Sequence, residues 1–246
     1  MNVSVVIPAL NDAVMLEACL RALALQTRPA DEVMVVDNGS TDDTAAVARR
    51  YGATVVLEPR RGIFPATARG FDEAAGDILA RLDADSVPPP DWIERIVPPF
   101  ERNTSLAALT GPGEFYGSTR LVHWLAEHLY IGGYTWFCGM ILGHAPLFGS
   151  NLALRATAWQ RLRLTVHRDI REVHDDLDLA YHIEPDMDVL WDDTLRVGVS
   201  ARPFASAKGF WRRIRWAFGT LALNWQSPFA RRAARRRVRE VLAAEA

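Results

Sequence analysis

Two carboxylates with the spacing of a metal site follow a buried apolar run. Asp83 and Asp85 flank one alanine where residues 78–82 give way to a proline-rich loop. Mg²⁺ and Mn²⁺ prefer oxygen ligands, often one or two carboxylates together with the phosphates of a substrate. Such D-x-D triplets occur by chance in many proteins, so the position at the end of a strand gives this one its weight. The pair predicts a divalent-cation site that also faces a phosphate or a ribose.

A second group of carboxylates lies in the sequence HDDLDL, residues 174–179. On a helix, Asp175 and Asp178 would share a face, while Asp176 would point elsewhere. Crowded carboxylates repel one another, which raises the pKa of at least one of them. A carboxylate with a raised pKa suits a general base. A solvated acidic helix start would show the same pattern.

Two turns contain residue types that suit a nucleotide or another anion. The sequence VMVVDNGSTDDT, residues 33–44, places Asp37, Asn38 and Gly39 between a strand and a helix. Gly39 permits a positive φ and a close backbone approach, and the helix N-terminus attracts anionic groups. A well-capped turn between strand and helix would look alike. The sequence GSNLALR, residues 149–155, puts a glycine and two small polar residues before another strand.

The elements that must position these residues alternate between strand and helix. Apolar runs predict four strands, at residues 3–7, 32–36, 53–57 and 78–82. Apolar residues at helical spacing and capping residues predict four helices, at residues 12–25, 40–51, 65–75 and 90–100. The alternation predicts a doubly wound α/β sheet, in which ligands bind beyond the carboxyl ends of the strands. The polar clusters after strands one, two and four lie at those ends.

The pattern changes beyond Gly111. The further elements that we expect are a strand at 150–154, short helices at 157–164 and 175–183, a hairpin of 189–191 with 196–200, and a basic aromatic helix from 210. Residues 129–148 contain no Asp, Glu, Lys or Arg and are long enough to cross a membrane. Four glycines, a proline and the direct continuation into the GSN motif favour packed acceptor-side structure instead.

The composition is that of a soluble globular protein. The chain has 246 residues, of which 49% are hydrophobic and 24% are charged. Cys19 and Cys138 have neither disulfide nor zinc spacing, which favours a reducing compartment, and no signal peptide is evident. We therefore expect a cytoplasmic protein. The charge is uneven, because residues 208–246 carry 10 basic and 2 acidic side chains, against 18 and 28 in residues 1–207.

Taken in order, the motifs resemble those of the family 2 glycosyltransferases, which have the GT-A fold. The signatures are VSVVIPALND, VVDNGSTDDT, ILARLDADS, and GSNLALR followed by HDDLDLA. The resemblance covers roughly residues 2–220. It implies a metal-assisted, inverting transfer of a sugar from a UDP, GDP or dTDP donor to a hydroxyl acceptor. Lipid-linked, polysaccharide and small-molecule acceptors are all compatible with it.

The resemblance implies roles for the residues of the donor side. The residues that match the loops holding base and ribose are Pro8, Ala9, Asn11, Asp37 and Asn38. Asp83 matches the position that contacts ribose or sugar, and Asp85 matches the one that binds Mg²⁺ or Mn²⁺.

It also implies roles on the acceptor side. Gly149, Ser150 and Asn151 match the loop that lies against donor and acceptor. Asp175 and Asp176 match an acidic pair whose second member is the catalytic base. In the implied reaction, Asp176 removes the proton of the acceptor hydroxyl.

The chain departs from the family pattern in two places that concern the donor. Asn38 stands where aspartate is common, which leaves the preferred base open. Residues 66–70 read ATARG where many members read A-R-N-x-G, so Thr67 replaces an arginine that could meet the phosphates. The arginines that could take its place are Arg69, Arg60 and Arg61.

The resemblance and the charge pattern together predict three regions. Residues 1–110 form the nucleotide-sugar half, residues 111–207 the acceptor half with the base, and residues 208–246 a basic aromatic helical tail. Arginines and aromatics together suit an anionic membrane surface, with Arg231–Arg239 as the docking segment at the inner face. Arg212–Trp216 would instead close over the donor diphosphate. Nucleic-acid binding by the tail is not expected, because it leaves the acidic body unexplained.

Other functions fit less well. A sugar nucleotidyltransferase usually has a glycine-rich phosphate loop with a basic residue after its first strand, where this chain has PALN at residues 8–11. A nicotinamide dehydrogenase would have G-x-G-x-x-G there. An inactive nucleotide-binding relative is the non-enzyme alternative, and the intact Asp85 and Asp176 argue against it.

Overall fold

The computed structural model describes residues 1–117, 132–202, 207–225 and 228–244. The strands in this part are β1 (Val3–Ala9), β2 (Glu32–Asp37), β3 (Thr54–Leu57), β4 (Ile78–Arg81), β5 (Leu106–Thr110), β6 (Gly113–Tyr116), β7 (Leu152–Arg155), β8 (Asp188–Trp191) and β9 (Val197–Ser200). The helices are α1 (Ala13–Ala24), α2 (Thr44–Arg50), α3 (Ile63–Glu73), α4 (Trp92–Arg102), α5 (Gly132–Leu142), α6 (Ala156–Leu162), α7 (Asp175–His182), α8 (Ala207–Leu223) and α9 (Pro228–Ala244).

Seven strands form one sheet with the order β3-β2-β1-β4-β7-β5-β8. Neighbours run parallel except at β7, which is antiparallel to both β4 and β5. β6 and β9 pair in parallel as a second, two-stranded sheet. The predicted doubly wound and mostly parallel sheet is confirmed, and the first four predicted strands agree with β1–β4 to within two residues.

Helices cover both faces of the large sheet, which explains why its central strands are mostly apolar, with Ser4 of β1 and Arg81 of β4 as buried exceptions. All seven residues of β1 are buried. On one face, Leu20 of α1 and Ile96 of α4 belong to the core. On the other face, Phe71 of α3 packs edge-on against Trp159 of α6. The carboxyl ends of β1, β2 and β4 are left open for the polar loops that follow them.

The predicted hairpin of residues 189–191 and 196–200 is wrong. β8 lies at the edge of the large sheet, parallel to β5, and β9 pairs with β6 instead. The chain does turn between them, since the Leu195 N–H donates to the Asp192 carbonyl. Strand partners are chosen by packing over long distances, and the alternation of residues within each strand carries no information about them.

The uncharged segment of residues 129–148 contains a short helix, α5, followed by irregular chain. Residues 129–131 lie outside the described residues, and α5 itself has 11 residues. Among the helices that the structure describes, none combines the length and apolarity needed to span a bilayer. Cys138, Ile141 and Leu142 pack into the core on the side of α3 and α7, as expected for acceptor-side structure.

The basic tail packs on the domain through several of its arginines. Arg231 donates to the Tyr181 carbonyl at 2.8 Å, and Arg232 donates to the Met140 carbonyl. Arg235 is buried and donates to two further carbonyls. Three of the six arginines assigned to membrane docking therefore hold α9 against the protein. Only the remaining part of that segment is left to face a membrane.

Candidate active site

The loops after β1 and β2 are tied together at the carboxyl ends of these strands. Asn11 has a φ of 52°, and its Oδ1 accepts a hydrogen bond from the Thr41 N–H at 2.8 Å. Asp37 Oδ1 accepts from the Ser40 N–H at 2.8 Å. Gly39 has the positive φ expected from the sequence, 79°. Pro8 and Ala9 end β1 beside this turn, with Ala9 in register with Asp37.

The side chain of Asn38 forms hydrogen bonds with the loop between β3 and α3. Its Nδ2 donates to the carbonyls of Glu58 and Arg60 at 2.8 and 2.7 Å, and its Oδ1 accepts from the Gly62 N–H at 2.9 Å. An aspartate could not donate to two carbonyls, so these bonds explain why the amide replaces the carboxylate common in similar sequences. The side chain is buried and its amide group is engaged, which competes with a contact to the base.

The three arginines proposed for the phosphates are placed differently. Arg69 lies on the exposed side of α3 and pairs with Glu73 at 2.9 Å. Arg60 pairs with Glu58 and Asp169. Arg61 lies against the turn at Gly39, where a Cβ on that glycine would be 3.8 Å from the Arg61 Cζ. Of the three, Arg61 has the position that suits a donor phosphate.

The two aspartates of the D-x-D loop have different partners. Asp83 accepts from Arg81 Nη2 at 2.7 Å and from the Ser150 hydroxyl at 2.5 Å. Asp85 accepts from Arg202 Nη2 at 3.1 Å through one oxygen. Burial raises the pKa of Asp85, the charge of Asp83 adds to this, and Arg202 acts in the opposite direction. Asp83 is thus held through both oxygens, and Asp85 is held through one.

The oxygen donors at this loop fit a hard divalent cation. Asp85 Oδ1 makes no hydrogen bond within the described part of the chain, and Asp12 Oδ1 points at the same guanidinium as Asp85 Oδ2. Sulfur ligands are not needed by Mg²⁺ or Mn²⁺, whose usual protein ligands are such carboxylates. Arg202 is 48% exposed, so its side chain can leave the position beside Asp85.

Arg81 links the D-x-D loop to the acidic helix. It is 2% exposed at the end of β4, and it pairs through Nη2 with Asp83 and through Nη1 with Asp175, both at 2.7 Å. Burial opposes its charge, but Asp175 and then Asp83 outweigh that effect and raise its pKa. Gly149 lies directly on the guanidinium, where a Cβ would collide with it. Sequence reasoning missed this residue, although an arginine within an apolar strand was the available signal.

The neighbouring carboxylates of α7 differ in exposure and in pKa. Asp175 is buried and accepts from Thr67 Oγ1 as well as from Arg81. Burial raises its pKa, Arg81 opposes this, and the charges of Asp176 and Asp83 add to it. Asp176 is 18% exposed and accepts from the Gly149 N–H at 3.1 Å. Burial would raise its pKa as well, but the hydrogen bond and charge of His174 outweigh it and lower the pKa.

The GSN motif divides between the cleft and the core. Gly149 and Ser150 contact Asp176 and Asp83 as described above. Asn151 is buried, accepts from Trp92 Nε1 at 2.9 Å and donates to the Leu195 carbonyl at 2.6 Å. Its side chain therefore joins α4 to the chain before β9.

The family of the chain follows from its similarity to known proteins. Residues 4–149, more than half of its length, match the model of Glycosyl transferase family 2. The chain belongs to this family.

Relatives in the family match over less than half of the chain. Glycosyltransferase AglE of Haloferax volcanii is 39% identical over 101 residues, which are 38% of this chain and 33% of that protein. An undecaprenyl-phosphate 4-deoxy-4-formamido-L-arabinose transferase of Pseudomonas aeruginosa is 40% identical over 105 residues, which are 39% of this chain and 31% of that protein. The chain thus spans about a third of the length of these two relatives.

A solved structure extends the likeness to most of the chain. Glucosyl-3-phosphoglycerate synthase of Mycobacterium tuberculosis, in complex with Mn²⁺, UDP and glucosyl-3-phosphoglycerate, superimposes with a TM-score of 0.67 at 23% identity. The match covers 91% of this chain and 79% of the synthase. The GT-A fold expected from the sequence is confirmed.

His174 and His182, at the two ends of α7, have separate surroundings. His174 lies beside the acidic pair, with its Nδ1 3.8 Å from Asp176 and its Nε2 3.1 Å from the Arg213 carbonyl of α8. His182 faces Asp178 together with His167, close enough for the three to share a cation. Protein N–H groups already bind the Asp178 carboxylate, including Asn224 Nδ2 at 2.7 Å. Hydrogen bonding accounts for that cluster without a metal.

Proposed function

We propose that this chain transfers a sugar from a nucleotide-diphosphate donor to a hydroxyl acceptor. The observation that carries the proposal is the network around Arg81. It joins Asp83 of the D-x-D loop to Asp175 of α7, and Gly149 and Ser150 bridge the same two elements. The carboxylates proposed for the donor side and the acceptor side are therefore held in one network, which supports a displacement at a sugar between them.

The donor would lie along the carboxyl ends of β1, β2 and β4. Residues 1–110 would contribute the nucleotide side and residues 111–207 the acceptor side. The residues proposed to hold base and ribose are Pro8, Ala9, Asn11, Asp37 and Asn38. Asp83 would position ribose or sugar. Arg61 takes the role proposed for Arg69 at the phosphates, because it lies against the turn at Gly39.

Asp85 is the proposed ligand of Mg²⁺ or Mn²⁺. When bound, the ion supplies a Lewis acid that offsets the charge growing on the leaving diphosphate. The similar synthase was solved with Mn²⁺ and UDP and also with Mg²⁺ and UDP, which supports these ions and a UDP donor here.

Asp176 is the proposed base of a single inverting displacement. The acceptor oxygen attacks the anomeric carbon while the bond from that carbon to the diphosphate oxygen breaks. The acceptor proton passes to the Asp176 carboxylate. The raised pKa expected for the base is found at Asp175 and not at Asp176, whose lowered pKa keeps it ionised and makes it a weaker base. Its partial exposure is what favours Asp176 for contact with an acceptor. Gly149 holds it through its N–H, and Asp175 remains bound to Arg81.

The acceptor class that we propose is lipid-linked, with the protein at the inner face of a membrane. One relative is named as an undecaprenyl-phosphate sugar transferase. Trp211 and Phe218 lie seven residues apart on one face of α8 and are 67% and 66% exposed. Arg212 and Arg215, which the sequence analysis assigned to the donor diphosphate, are exposed beside them, and we assign them to this surface instead. Aromatic and basic residues together suit an anionic headgroup region.

A thermal-shift experiment tests the donor and metal assignments. UDP, GDP and dTDP are added with and without Mn²⁺, and we expect one of them to stabilise the protein only with the metal. A ligand at 100 times its Kd stabilises the folded state by about 2.7 kcal/mol. Asp85→Ala should abolish the metal-dependent shift, while Asp91→Ala, a half-exposed carboxylate in a pair with Arg95, should keep it.

The same protein is then assayed for sugar transfer and donor hydrolysis. Binding of a nucleotide without either reaction would support the inactive relative instead. An unchanged shift in Asp85→Ala would contradict the metal assignment.

A further inference from the structure

One guanidinium joins the first loop of the chain to the D-x-D loop. Arg202 Nη1 donates to Asp12 Oδ1 at 2.7 Å, and Arg202 Nη2 donates to Asp85 Oδ2 at 3.1 Å. Asp12 lies between β1 and α1, so the two carboxylates come from separate elements. They converge on the position that a cation at Asp85 would also approach.

The backbone that carries Arg202 is fixed to the D-x-D loop. Arg202 follows β9, and Gly198 of β9 exchanges two backbone hydrogen bonds with Val87, at 2.7 and 2.9 Å. The Tyr116 hydroxyl, on the paired strand β6, donates to the Asp85 carbonyl at 2.7 Å. The small β6–β9 sheet thus holds the backbone of Arg202 near Asp85. The side chain itself is 48% exposed and can change its rotamer.

The charges explain why this arginine and a divalent cation compete. Asp12, Asp83 and Asp85 place three carboxylates at the loop, and Arg81 is committed to Asp83. Arg202 neutralises the other two. A divalent cation on Asp85 would lie on the same carboxylate as Arg202 and repel its charge at close range. The diphosphate of a donor brings the negative charge that lets both cations remain.

We propose that Arg202 is the resident counter-cation of the metal site and moves to the donor diphosphate when the metal binds Asp85. This inference rests on the proposed function. In the nucleotide-free protein, Arg202 holds Asp12 and Asp85 together and weakens binding of the metal alone. With donor present, the same side chain binds the diphosphate, so metal and nucleotide each strengthen binding of the other.

Binding of Mn²⁺ alone and of UDP at saturating Mn²⁺ tests this positioning role. Calorimetry or electron paramagnetic resonance measures both constants in wild type, Arg202→Ala and Arg202→Lys. In Arg202→Ala we expect Mn²⁺ alone to bind about tenfold more tightly, since a competing charge and two partly exposed ion pairs are removed. UDP should bind about tenfold more weakly at saturating Mn²⁺. Arg202→Lys should recover part of the UDP affinity.

Control variants separate this effect from a general change of charge. Arg50→Ala removes an exposed arginine with a distant partner, Glu17 at 3.9 Å, and should leave both constants unchanged. Asp12→Asn in the Arg202→Ala background should reduce the gained Mn²⁺ affinity, because Asp12 then loses its charge beside the ion.

The role of Arg202 and the proposed function can fail independently of each other. Mn²⁺ affinity that stays the same or falls in Arg202→Ala overturns the role of Arg202, even if wild type binds UDP with Mn²⁺. Absence of UDP binding by wild type would contradict the proposed function. The Mn²⁺ measurement alone would still decide whether Arg202 competes for Asp85.

Discussion

Asp175 and Asp176 follow one another in the chain, but their carboxylates face in different directions. Asp175 points into the protein, where Arg81 and Thr67 bind it. Asp176 points to the cleft and is bound by the Gly149 N–H. The first arrangement holds a structure together, and the second leaves a carboxylate able to accept a proton.

We expect Asp176→Asn to lower sugar transfer by about 10² or more, because the amide keeps the shape but cannot accept the acceptor proton. Donor affinity and the free energy of unfolding should be nearly unchanged. Single-turnover transfer, nucleotide binding and urea unfolding measure the three quantities.

The matched variant is Asp175→Asn. It breaks a buried ion pair with Arg81, so it should lower the free energy of unfolding by about 3–5 kcal/mol. A folded Asp175→Asn with no transfer, beside an active Asp176→Asn, would show that the base is the first aspartate of the pair.

The helix α9 shows how an element with many arginines can be structural. Arg231 and Arg232 donate to carbonyls in the last turns of α7 and α5, where helices have unpaired acceptors and a partial negative charge. Arg235 reaches the carbonyls of Ile183 and Met187 just beyond α7. The arginines therefore cap other helices and fasten α9 to the domain.

Arg235→Ala should lower the free energy of unfolding by about 1.5–3 kcal/mol, because it removes two buried hydrogen bonds from a charged donor. Urea unfolding measures this change. Arg236→Ala is the control, since that side chain is 78% exposed and pairs with Glu240 at 3.9 Å. Its effect should lie within about 0.5 kcal/mol. Equal effects of the two variants would show that Arg235 does not hold α9 against the domain.

At the level of the whole molecule, most of the strongly exposed aromatic residues in the described part of the chain belong to the C-terminal segment, although Trp136 of α5 is also 70% exposed. Trp211 and Phe218 of α8, Trp225 after it and Phe229 of α9 are each at least 66% exposed. The excess of basic residues lies in the same part of the sequence. A surface that faces a membrane would have both exposed aromatic residues and an excess of basic residues. The aromatic residues would enter the headgroup boundary.

Co-sedimentation with vesicles checks this surface. We expect binding to vesicles rich in anionic lipid and weak binding to neutral ones, with a loss of binding as salt rises. The double variant Phe218→Ser with Trp225→Ser should reduce binding strongly. Protein cut after Ser227 should bind less, since it loses Phe229 and the exposed Arg236 and Arg237. Binding that ignores salt, or that survives both changes, would show that the tail does not dock on lipid.

The sequence predicted what depends on local pattern. Strands β1–β4 follow from apolar runs, and the turn at Gly39 follows from the need for a positive φ. It did not predict Arg81, whose partners Asp83 and Asp175 meet only when β4 and α7 are packed together. The hydrogen bonds of Asn38 were missed for the same reason, because its partners lie in the loop after β3.

Strand pairing at the far edge of the sheet was also outside what local pattern can predict. β8 and β9 read as a hairpin because they are close in sequence and joined by a turn. Their true partners, β5 and β6, are fixed by burial against the core. Residue types indicated a site beyond the strand ends, and only the assembled sheet decided which side chains face it.

The antiparallel strand β7 has a consequence for how the chain folds as it is made. β1–β4 and their helices pair among themselves and can form from the first third of the chain. Among the strands that the structure describes, β5 pairs only with β7 and β8, which are both synthesised later, so it must wait outside the sheet. Until residues 152–155 emerge, β4 presents an open edge of the kind that invites association with other chains. We therefore expect nascent chains that stop short of β7 to need a chaperone, and complete chains to fold slowly through this late, long-range pairing.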